Sequence, residues 1–504
     1  MRKNMKLEFT REIFHCDVAV AGGGPGGIMA ALAAARCGAK VLLIEQGAFL
    51  GGTATRTVLG PISPFHFGDE AITKGIAAQF IDRLIKNHGA TGHMKCINPR
   101  GTGSYVCFYD HEIYKYTAQA MLEEAGVVLL FHTVVREVMM KGNRVAALRA
   151  DSRFGALEIC PKMVIDATGD GDVAALAGAE FTIGDGMGKM QPGSLMFEMA
   201  GVDTERLYQF ICRNAEEFTR LSDIISLDGG KKNSRFVAQG YLSAVEKARK
   251  KGDLIIGRDS VQTISGFHPG WIHFNAVRLE DYGPLELWKR SESERQARIS
   301  MESIAEFMKR EIPGFKNAFI ARAGMELGVR ESRHIKGKYV LTEKNVTEGR
   351  KFSDTIGRGG FPVDIHGGNK TAVSEGTGGL WKELKDCYDI PYRALIPESV
   401  EGLLLAGRCI SGTYEASASF RTQGVVMGFS QASGIAAALC VKHGCQPAQL
   451  PAARIQEKLI EIGASPYRNQ EEKEREEARA REAVKRFAGE KRERITPERF
   501  LRDR

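Results

Sequence analysis

Residues 18–27 read VAVAGGGPGG, a short apolar run that passes directly into a glycine-rich turn. Residues 28–37 are rich in alanine, and Gly38 stands where a helix over that stretch would end. A second apolar run, KVLLI, occupies residues 40–44. A strand, a tight turn, a helix and a strand in this order predict a βαβ unit and therefore a parallel sheet.

The turn contains the spacing G-x-G-x-x-G, formed by Gly22, Gly24 and Gly27. In a dinucleotide-binding unit the first glycine permits the tight turn, the second lets backbone approach a pyrophosphate, and the third lets helix and strand pack closely. The N–H groups at the start of the helix favour phosphate. Glu45 ends the second run, where a carboxylate can accept hydrogen bonds from ribose hydroxyls and would repel the extra phosphate of NADP.

Length and composition limit the class of protein. The chain has 504 residues, of which 43% are hydrophobic and 26% charged, and this excludes wholesale disorder and a membrane-spanning bundle. The net charge of +8 is mild for this size and does not indicate nucleic-acid binding. The basic N-terminus lacks the pattern of a secretory signal, and the ten cysteines form no CxxC pair. We therefore expect a cytoplasmic protein.

Further strands of the predicted sheet are separated by long stretches of chain. Apolar runs occur at 127–131, 163–166 and 402–406, and residues 134–160 are typical of an antiparallel meander. A helix rich in small residues is predicted at 424–441. A simple NAD-binding domain would continue with βα units in series, so this discontinuity favours a different dinucleotide-binding fold.

These pieces together resemble the FAD-dependent oxidoreductases of the glutathione-reductase-like class, and more closely the bacterial family described only as FAD-dependent oxidoreductases. The resemblance covers most of residues 16–445. The matching segments are 18–45, Gly51 to Thr55, 164–178 and 404–409 with the helix after Gly424. The resemblance implies FAD as cofactor and an oxidoreductase activity.

The expected fold class is α/β. It consists of a Rossmann-like FAD-binding domain whose central parallel sheet is assembled from discontinuous segments, an inserted α+β substrate domain, and a helical C-terminal tail. The FAD-binding domain is expected at 16–60, 110–190 and 399–445, the substrate domain at 191–398, and the charged tail at 446–504.

The resemblance also implies which residues surround FAD. The paired glycines Gly51 and Gly52 would lie along the diphosphate and the flavin, and the backbone at Val135 would face the adenine. Arg408 departs from the family pattern, because many relatives have Gly-Asp at residues 407 and 408. The expected cofactor-binding residues are Gly22, Gly24, Pro25, Gly26, Gly27, Glu45, Gly51, Gly52, Thr53, Val135, Ala167, Gly169, Asp170, Gly407 and Arg408.

Histidines and arginines in the middle of the chain supply candidate chemistry. Histidine can act as acid or base near neutral pH, and arginine can clamp a carboxylate or stabilise an oxyanion. The catalytic candidates are Arg333, His273, Arg278 and Arg421. The alternative for residues 330–333 is a structural ion-pair network with Glu326 and Glu331. No zinc-type pair of ligands is present, so no metal site is expected.

The leading hypothesis is a dehydrogenase or reductase that transfers a hydride between a small organic substrate and N5 of FAD. No second G-x-G-x-x-G follows a strand, so an external electron donor or acceptor is expected. The alternatives are an FAD-dependent tRNA-modifying protein, which the dispersed basic residues disfavour, and a flavin subunit of a multi-protein redox complex. We expect no nucleic-acid partner and no membrane span, and a homo-oligomer is compatible with the sequence.

Overall fold

The computed structural model describes residues 12–97, 104–225, 234–366, 380–469, 471–474 and 478. The strands are β1 (Glu12–Ala21), β2 (Val41–Ile44), β3 (His66–Phe67), β4 (Glu70–Ala71), β5 (Met94–Ile97), β6 (Ser104–Val106), β7 (Val128–Leu130), β8 (Val134–Lys141), β9 (Arg144–Ser152), β10 (Gly155–Asp166), β11 (Phe181–Ile183), β12 (Phe197–Ala200), β13 (Phe218–Ile225), β14 (Ser234–Gly240), β15 (Val261–Ser265), β16 (Ile272–Phe274), β17 (Phe319–Ala323), β18 (Arg333–Ile335), β19 (Thr355–Gly359), β20 (Val363–Ile365), β21 (Leu380–Lys382), β22 (Tyr388–Pro391) and β23 (Leu403–Leu405). The α-helices are α1 (Pro25–Arg36), α2 (Ile76–Lys86), α3 (His111–Glu124), α4 (Asp172–Leu176), α5 (Thr204–Arg213), α6 (Leu242–Lys251), α7 (Leu287–Glu311), α8 (Glu343–Thr347), α9 (Tyr414–Phe420), α10 (Gln423–His443) and α11 (Ala452–Glu461).

The central sheet has the strand order β7-β2-β1-β10-β9-β8, and β23 pairs with β10. β1 is parallel to both β2 and β10, and β23 is parallel to β10. All residues of β2 and β23 are buried, as expected for parallel strands that helices cover on both faces. The predicted parallel sheet of discontinuous segments is confirmed, with β8, β9 and β10 as the predicted meander. β10 is one long strand that begins in the meander and continues into the parallel core.

Helices α1 and α10 cross closely beside this sheet. A Cβ built on Gly434 would lie 2.0 Å from the carbonyl oxygen of Ala30, so the two backbones approach closer than any larger residue would allow. Every residue from Gln423 to Cys440 is buried. Among the described residues, α10 is the helix with the length and apolarity of a membrane span, and 94% of its apolar window is buried within the protein. We interpret it as a core helix.

A second sheet forms the inserted part of the molecule. Its order is β17-β12-β16-β15-β14-β13-β5-β6, and its neighbouring strands are antiparallel. It has its own hydrophobic core, which includes buried residues from Leu195 to Leu327. β5 and β6 come from the stretch at 94–106, ahead of the second part of the FAD-binding domain.

The boundary of the inserted domain differs from the one expected at 398. Buried residues from Ile335 to Val400 share their hydrophobic core with the central sheet. The reason is that β19 packs against α10: a Cβ on Gly357 would lie 3.1 Å from the Phe429 backbone of that helix. Leu450, Ile455 and Leu459 of the expected tail pack in the same core. Most of the charged tail beyond 469 lies outside the described residues.

Candidate active site

The turn after β1 requires glycine at two positions, Gly22 and Gly27. Gly22 has a φ of +102°, and a Cβ on it would lie 2.4 Å from the carbonyl oxygen of Ala167, the residue that follows β10. A Cβ on Gly27 would lie 1.8 Å from the carbonyl oxygen of Gly22. Both positions therefore hold backbone against backbone, and the first also needs the left-handed conformation that glycine permits.

Helix α1 begins without a side chain to cap it. Its N-cap residue is Gly24, which has no side chain to accept from the N–H groups of the first turn. The paired glycines lie directly on this turn, because Gly51 N donates to Gly23 O at 2.8 Å and a Cβ on Gly52 would lie 2.8 Å from Gly24 Cα. The start of α1 is thus a bare backbone surface of the kind that holds a pyrophosphate.

Glu45, directly after β2, is hydrogen-bonded to the same turn. Its Oε2 accepts from Gly23 N at 2.8 Å, and its Oε1 accepts from Gly47 N at 2.6 Å and pairs with Arg56 at 3.2 Å. A carboxylate has further lone pairs, so the predicted contact with a ribose hydroxyl stays a prediction. The backbone oxygen of Glu45 accepts from Thr133 N at 3.0 Å, which brings Val135 of β8 to this end of the site.

The segment after β10 is held by a buried carboxylate. Asp166 accepts from Thr168 N at 3.0 Å, from Thr168 Oγ1 at 2.7 Å and from Ala174 N at 2.8 Å. Burial raises the pKa of Asp166 to about 6. These bonds place Ala167 and Gly169 at the carboxyl end of the sheet, beside the glycine turn.

Arg408 pairs across this end of the sheet with Asp170, and Ser332 Oγ donates to the same carboxylate. Gly407 has a φ of +88°, and a Cβ on it would meet no atom within 4 Å. Asp170 thus balances the charge of Arg408. The N–H of Gly407 donates to Ser430 Oγ at 3.3 Å, and the side on which a Cβ would stand is open. Gly407 lies at the carboxyl end of the parallel strands, where ligands of such sheets bind.

Arg333 binds the segment that follows β10. Its Nη1 donates to Asp172 Oδ1 at 2.7 Å and to the backbone oxygen of Asp170 at 3.0 Å. The structure therefore places Arg333 against the segment after β10, and these hydrogen bonds hold that segment in position. The expected network with Glu326 and Glu331 is not formed by Arg333.

We expect Arg333→Ala to loosen the cofactor end of the site and to leave the reductive step intact. Asp172 is 48% exposed, so solvent screens the pair and the loss of stability should be about 1 kcal/mol. Flavin content and the thermal midpoint should fall modestly, while the flavin that remains is reduced at the normal rate. Arg206→Ala, at an exposed position of α5, is the control. A normal flavin content combined with a slow reductive step would instead show that Arg333 takes part in catalysis.

His273 of β16 lies in a polar cluster that we call the proton cluster. Its other members are Glu198 of β12, Arg322 of β17 and His111 at the start of α3. Glu198 Oε1 is 3.9 Å from His273 Nδ1, and Glu198 Oε2 is 3.7 Å from Arg322 Nη1. Arg322 donates to His111 Nδ1 at 2.8 Å, so the ring proton of His111 sits on Nε2, 3.2 Å from the carbonyl oxygen of Leu59. Both ring nitrogens of His273 lack a hydrogen-bond partner among the described residues.

At pH 7 the two histidines of the proton cluster are neutral and its carboxyl group is partly protonated. Burial raises the pKa of Glu198 to about 7, against the opposing effect of Arg322 and with a smaller contribution from Asp110. Burial lowers the pKa of His273 to about 4 and that of His111 to about 3. A carboxyl group that titrates near 7 beside a neutral imidazole is suited to accept or donate a proton. The sequence pattern did not single out Glu198, since a lone Glu in an apolar strand carries no motif.

Arg278 and Arg421 come together in a second cluster. Arg421 Nη2 donates to Gln191 Oε1 at 3.1 Å and to the backbone oxygen of Asp364 at 2.9 Å. Arg258 and Arg330, which were not among the catalytic candidates, join them here. Arg330 donates to the backbone oxygen of Pro192 at 2.7 Å rather than to Glu326 or Glu331.

The start of α10 meets these groups. Gln423, its first residue, is buried, and its amide lies beside the hydroxyl of Tyr109. With the bare turn at α1 and the open Gly407 backbone, the residues present fit an extended dinucleotide such as FAD.

Curated relatives match parts of the chain. The tRNA uridine 5-carboxymethylaminomethyl modification enzyme MnmG of Streptococcus pneumoniae is 29% identical over 191 residues, which is 36% of this chain and 26% of that enzyme. Sarcosine oxidase subunit alpha of Rhizobium meliloti is 51% identical over 39 residues, 8% of this chain and 4% of that subunit. The chain thus spans about a quarter or less of the length of these relatives.

Solved structures with a similar course of the chain have low sequence identity. A geranylgeranyl bacteriochlorophyll reductase-like protein of Thermoplasma acidophilum has a TM-score of 0.44 and 14% identity, over 97% of this chain and 95% of that one. The p-nitrophenol 4-monooxygenase PnpA of Pseudomonas putida has a TM-score of 0.42 and 11% identity, over 97% and 99%. These scores are too low to support a functional argument.

The family model described as FAD dependent oxidoreductase matches residues 17–459. The match runs from β1 to α11 and includes the glycine turn, the ends of β10 and β23, and both polar clusters. The chain therefore belongs to the FAD-dependent oxidoreductase family, and it is an enzyme that uses FAD.

Proposed function

We propose that this enzyme transfers a hydride between a small organic substrate and N5 of FAD. The observation that carries the proposal is the course of the connecting segment, residues 52–64. It starts on the glycine turn at Gly52, passes His111 and His273 of the proton cluster at Leu59 and Gly60, and reaches α10 at Ser63. The glycine turn, which would bind FAD, and the proton cluster are thereby parts of one site.

The contacts of the connecting segment are short. His111 Nε2 lies 3.2 Å from Leu59 O, and a Cβ on Gly60 would lie 3.1 Å from His273 Nε2. Gly424 of α10 donates to Ser63 O at 3.3 Å. No larger residue fits at position 424, since a Cβ there would lie 1.9 Å from the carbonyl oxygen of Pro64. The segment is therefore fixed against both sides of the site.

FAD, when bound, supplies the acceptor or donor of the hydride. The chain's own task is to hold the substrate and to move the accompanying proton. Glu198 can take that proton, because its pKa of about 7 leaves it partly ionised at neutral pH. His273 lies 3.9 Å from this carboxylate and can pass the proton on. Burial, together with the charge of Arg322, holds His111 in the neutral form, so His111 acts as a positioning residue.

An external partner completes the redox cycle in this proposal. The sequence contains no second G-x-G-x-x-G after a strand, so electrons enter or leave through a separate donor or acceptor. All ten cysteines are free thiols, and this supports a cytoplasmic location.

The test is anaerobic reduction of the purified yellow holoenzyme, followed as bleaching of the oxidised flavin band while small organic donors are screened. We expect at least one small donor to bleach the flavin stoichiometrically, and the reduced enzyme to be reoxidised by a dye acceptor. Reduction by a partner protein only, with no response to small donors, would instead identify a flavin subunit of a redox complex.

tRNA modification is the second candidate, on the strength of the 191-residue similarity to MnmG. The similarity covers 26% of that enzyme, so it carries over no substrate by itself. Binding to tRNA that weakens steeply with salt would favour this candidate. Binding that is absent at low salt would remove it.

A further inference from the structure

Gln191 is a fully buried glutamine whose amide is held on one side only. Its exposed fraction is 0%, and its backbone N–H donates to Glu331 Oε2 at 2.9 Å. Its Oε1 accepts from Arg421 Nη2 at 3.1 Å and from His366 N at 3.3 Å. Two donors on one atom identify that atom as the oxygen, so the orientation of the amide is fixed. The amide nitrogen Nε2 has no hydrogen-bond partner among the described residues.

Arg421 presents a second donor of this kind beside the amide, and we call the two residues the Gln191–Arg421 pair. Nη2 of Arg421 also donates to the backbone oxygen of Asp364 at 2.9 Å, so two acceptors fix the guanidinium group. The buried Nε atom of Arg421 has no partner within the described part of the chain. Buried donors are normally satisfied, so two of them on side chains in contact indicate that a ligand supplies an acceptor here.

The charges around the Gln191–Arg421 pair are balanced. The second cluster holds four arginines, and four carboxylates lie beside them: Asp259, Asp364, Glu280 and Glu331. His366 adds no charge at pH 7, because burial lowers its pKa to about 4. An anion would upset this balance, whereas a carbonyl oxygen accepts hydrogen bonds without bringing a charge. An uncharged carbonyl group is therefore the acceptor that fits.

Helix α10 connects this pair with the phosphate end of the cofactor site. Within the helix, Ser430 Oγ accepts from Gly407 N at 3.3 Å and would lie 3.0 Å from a Cβ on Gly26 in the first turn of α1. Gln423 begins the helix two residues after Arg421, and it lies about 10 Å from Ser430 along the helix axis. An extended dinucleotide that has its pyrophosphate at α1 and follows α10 therefore brings its ring system to the pair.

We infer that Gln191 Nε2 donates a hydrogen bond to a carbonyl oxygen of the flavin ring of FAD. The inference rests on FAD as the cofactor and does not depend on the substrate of the proposed function. The oxidised flavin ring is uncharged and carries carbonyl groups. Reduction increases the negative charge on their oxygens, so a donor there stabilises the reduced flavin and raises its midpoint potential. Arg421, which fixes the amide oxygen, is a positioning residue for this contact.

The experiment is infrared spectroscopy of the holoenzyme reconstituted with FAD that carries isotopically labelled carbon in the flavin carbonyl groups. Gln191→Glu keeps an oxygen for Arg421 and His366 and replaces the donor by a second acceptor, whereas Gln191→Met removes the whole amide. A carbonyl stretch moves to lower frequency when its oxygen accepts a hydrogen bond. We expect a labelled band to lie at higher frequency in both variants than in the unmodified holoenzyme.

The midpoint potential of the bound flavin is the second readout. Loss of the donor should weaken the binding of reduced FAD relative to oxidised FAD about tenfold, which is about 30 mV for a two-electron couple. The potential should fall in Gln191→Met and fall further in Gln191→Glu, whose negative charge opposes reduction. Gln456→Met is the matched control, because Gln456 is also buried but donates to the backbone oxygens of Ser353 and Thr355. This control should lose stability and keep the flavin bands and the potential.

The outcomes decide between the contact and a purely structural role. Unchanged bands and an unchanged potential in both Gln191 variants would overturn the inference, and so would equal changes in Gln456→Met. Bands that move in Gln191→Met alone would trace the effect to the release of Arg421 and would also overturn it. The thermal midpoint of each apoprotein shows whether the variant is folded. Because no substrate enters the experiment, failure of the proposed hydride transfer would leave this inference untouched.

Discussion

Gly22→Ala should abolish FAD binding, with flavin content below a tenth of that of the unmodified protein. The new Cβ would lie 2.4 Å from the carbonyl oxygen of Ala167, and the φ of +102° is unfavourable for any residue with a side chain. Overpacking against backbone costs about 1–3 kcal/mol and the left-handed conformation about 1–2 kcal/mol. To relieve the contact, the turn after β1 must move away from the end of β10. The N–H groups at the start of α1 then no longer point at the pyrophosphate of FAD.

Gly38→Ala is the matched control for this prediction. Gly38 also has a positive φ, +88°, but a Cβ on it would meet no atom within 4 Å. The control therefore carries the conformational strain without the collision, and it should lose some stability while keeping its flavin. The ratio of flavin to protein absorbance is the measurement. Near-stoichiometric flavin in Gly22→Ala would show that the turn can relax and that the close approach is not required.

Glu198→Gln should make the protein more stable at pH 8 and the enzyme much slower. The pKa of Glu198 is raised from 4.5 to about 7, chiefly by burial. Between these values the folded protein holds a proton that the unfolded chain has lost, so the stability contributed by this group falls as pH rises and is gone above about pH 7. A glutamine has no charge to bury. The gain at pH 8 should be up to about 3 kcal/mol, and little change is expected at pH 4.

The catalytic effect of Glu198→Gln should have the opposite sign. A positioned general acid or base contributes about 10²–10⁴-fold, so the reductive step should slow by at least about a hundredfold and lose its pH dependence near 7. Stopped-flow reduction across pH 5–9, paired with denaturant unfolding at pH 4 and 8, measures both effects. Glu401→Gln, at an exposed position, should change neither. A normal rate with the predicted gain in stability would leave Glu198 a buried group without a role in proton transfer.

The FAD-binding part of the fold could be predicted because its signals are local. The spacing of Gly22, Gly24 and Gly27 follows from contacts within one βαβ unit, and an apolar run of four to five residues is sufficient to predict a buried parallel strand. The inserted sheet carried weaker signals. β5 and β6 joined it from residues 94–106, and the chain after Ile335 returned to the central core, because long-range packing decides such partners and local patterns do not.

The candidate site shows the same division. The sequence by itself determined the nucleotide cradle, since steric limits at a few glycines allow one kind of turn and that turn suits one kind of ligand. Only the tertiary structure separated Arg333, which pairs with Asp172, from Arg421, which faces Arg330 and Asp364. Only the fold brought Arg330 close to Arg421 and raised the pKa of Glu198, because proximity between distant segments and burial from water are properties of packing.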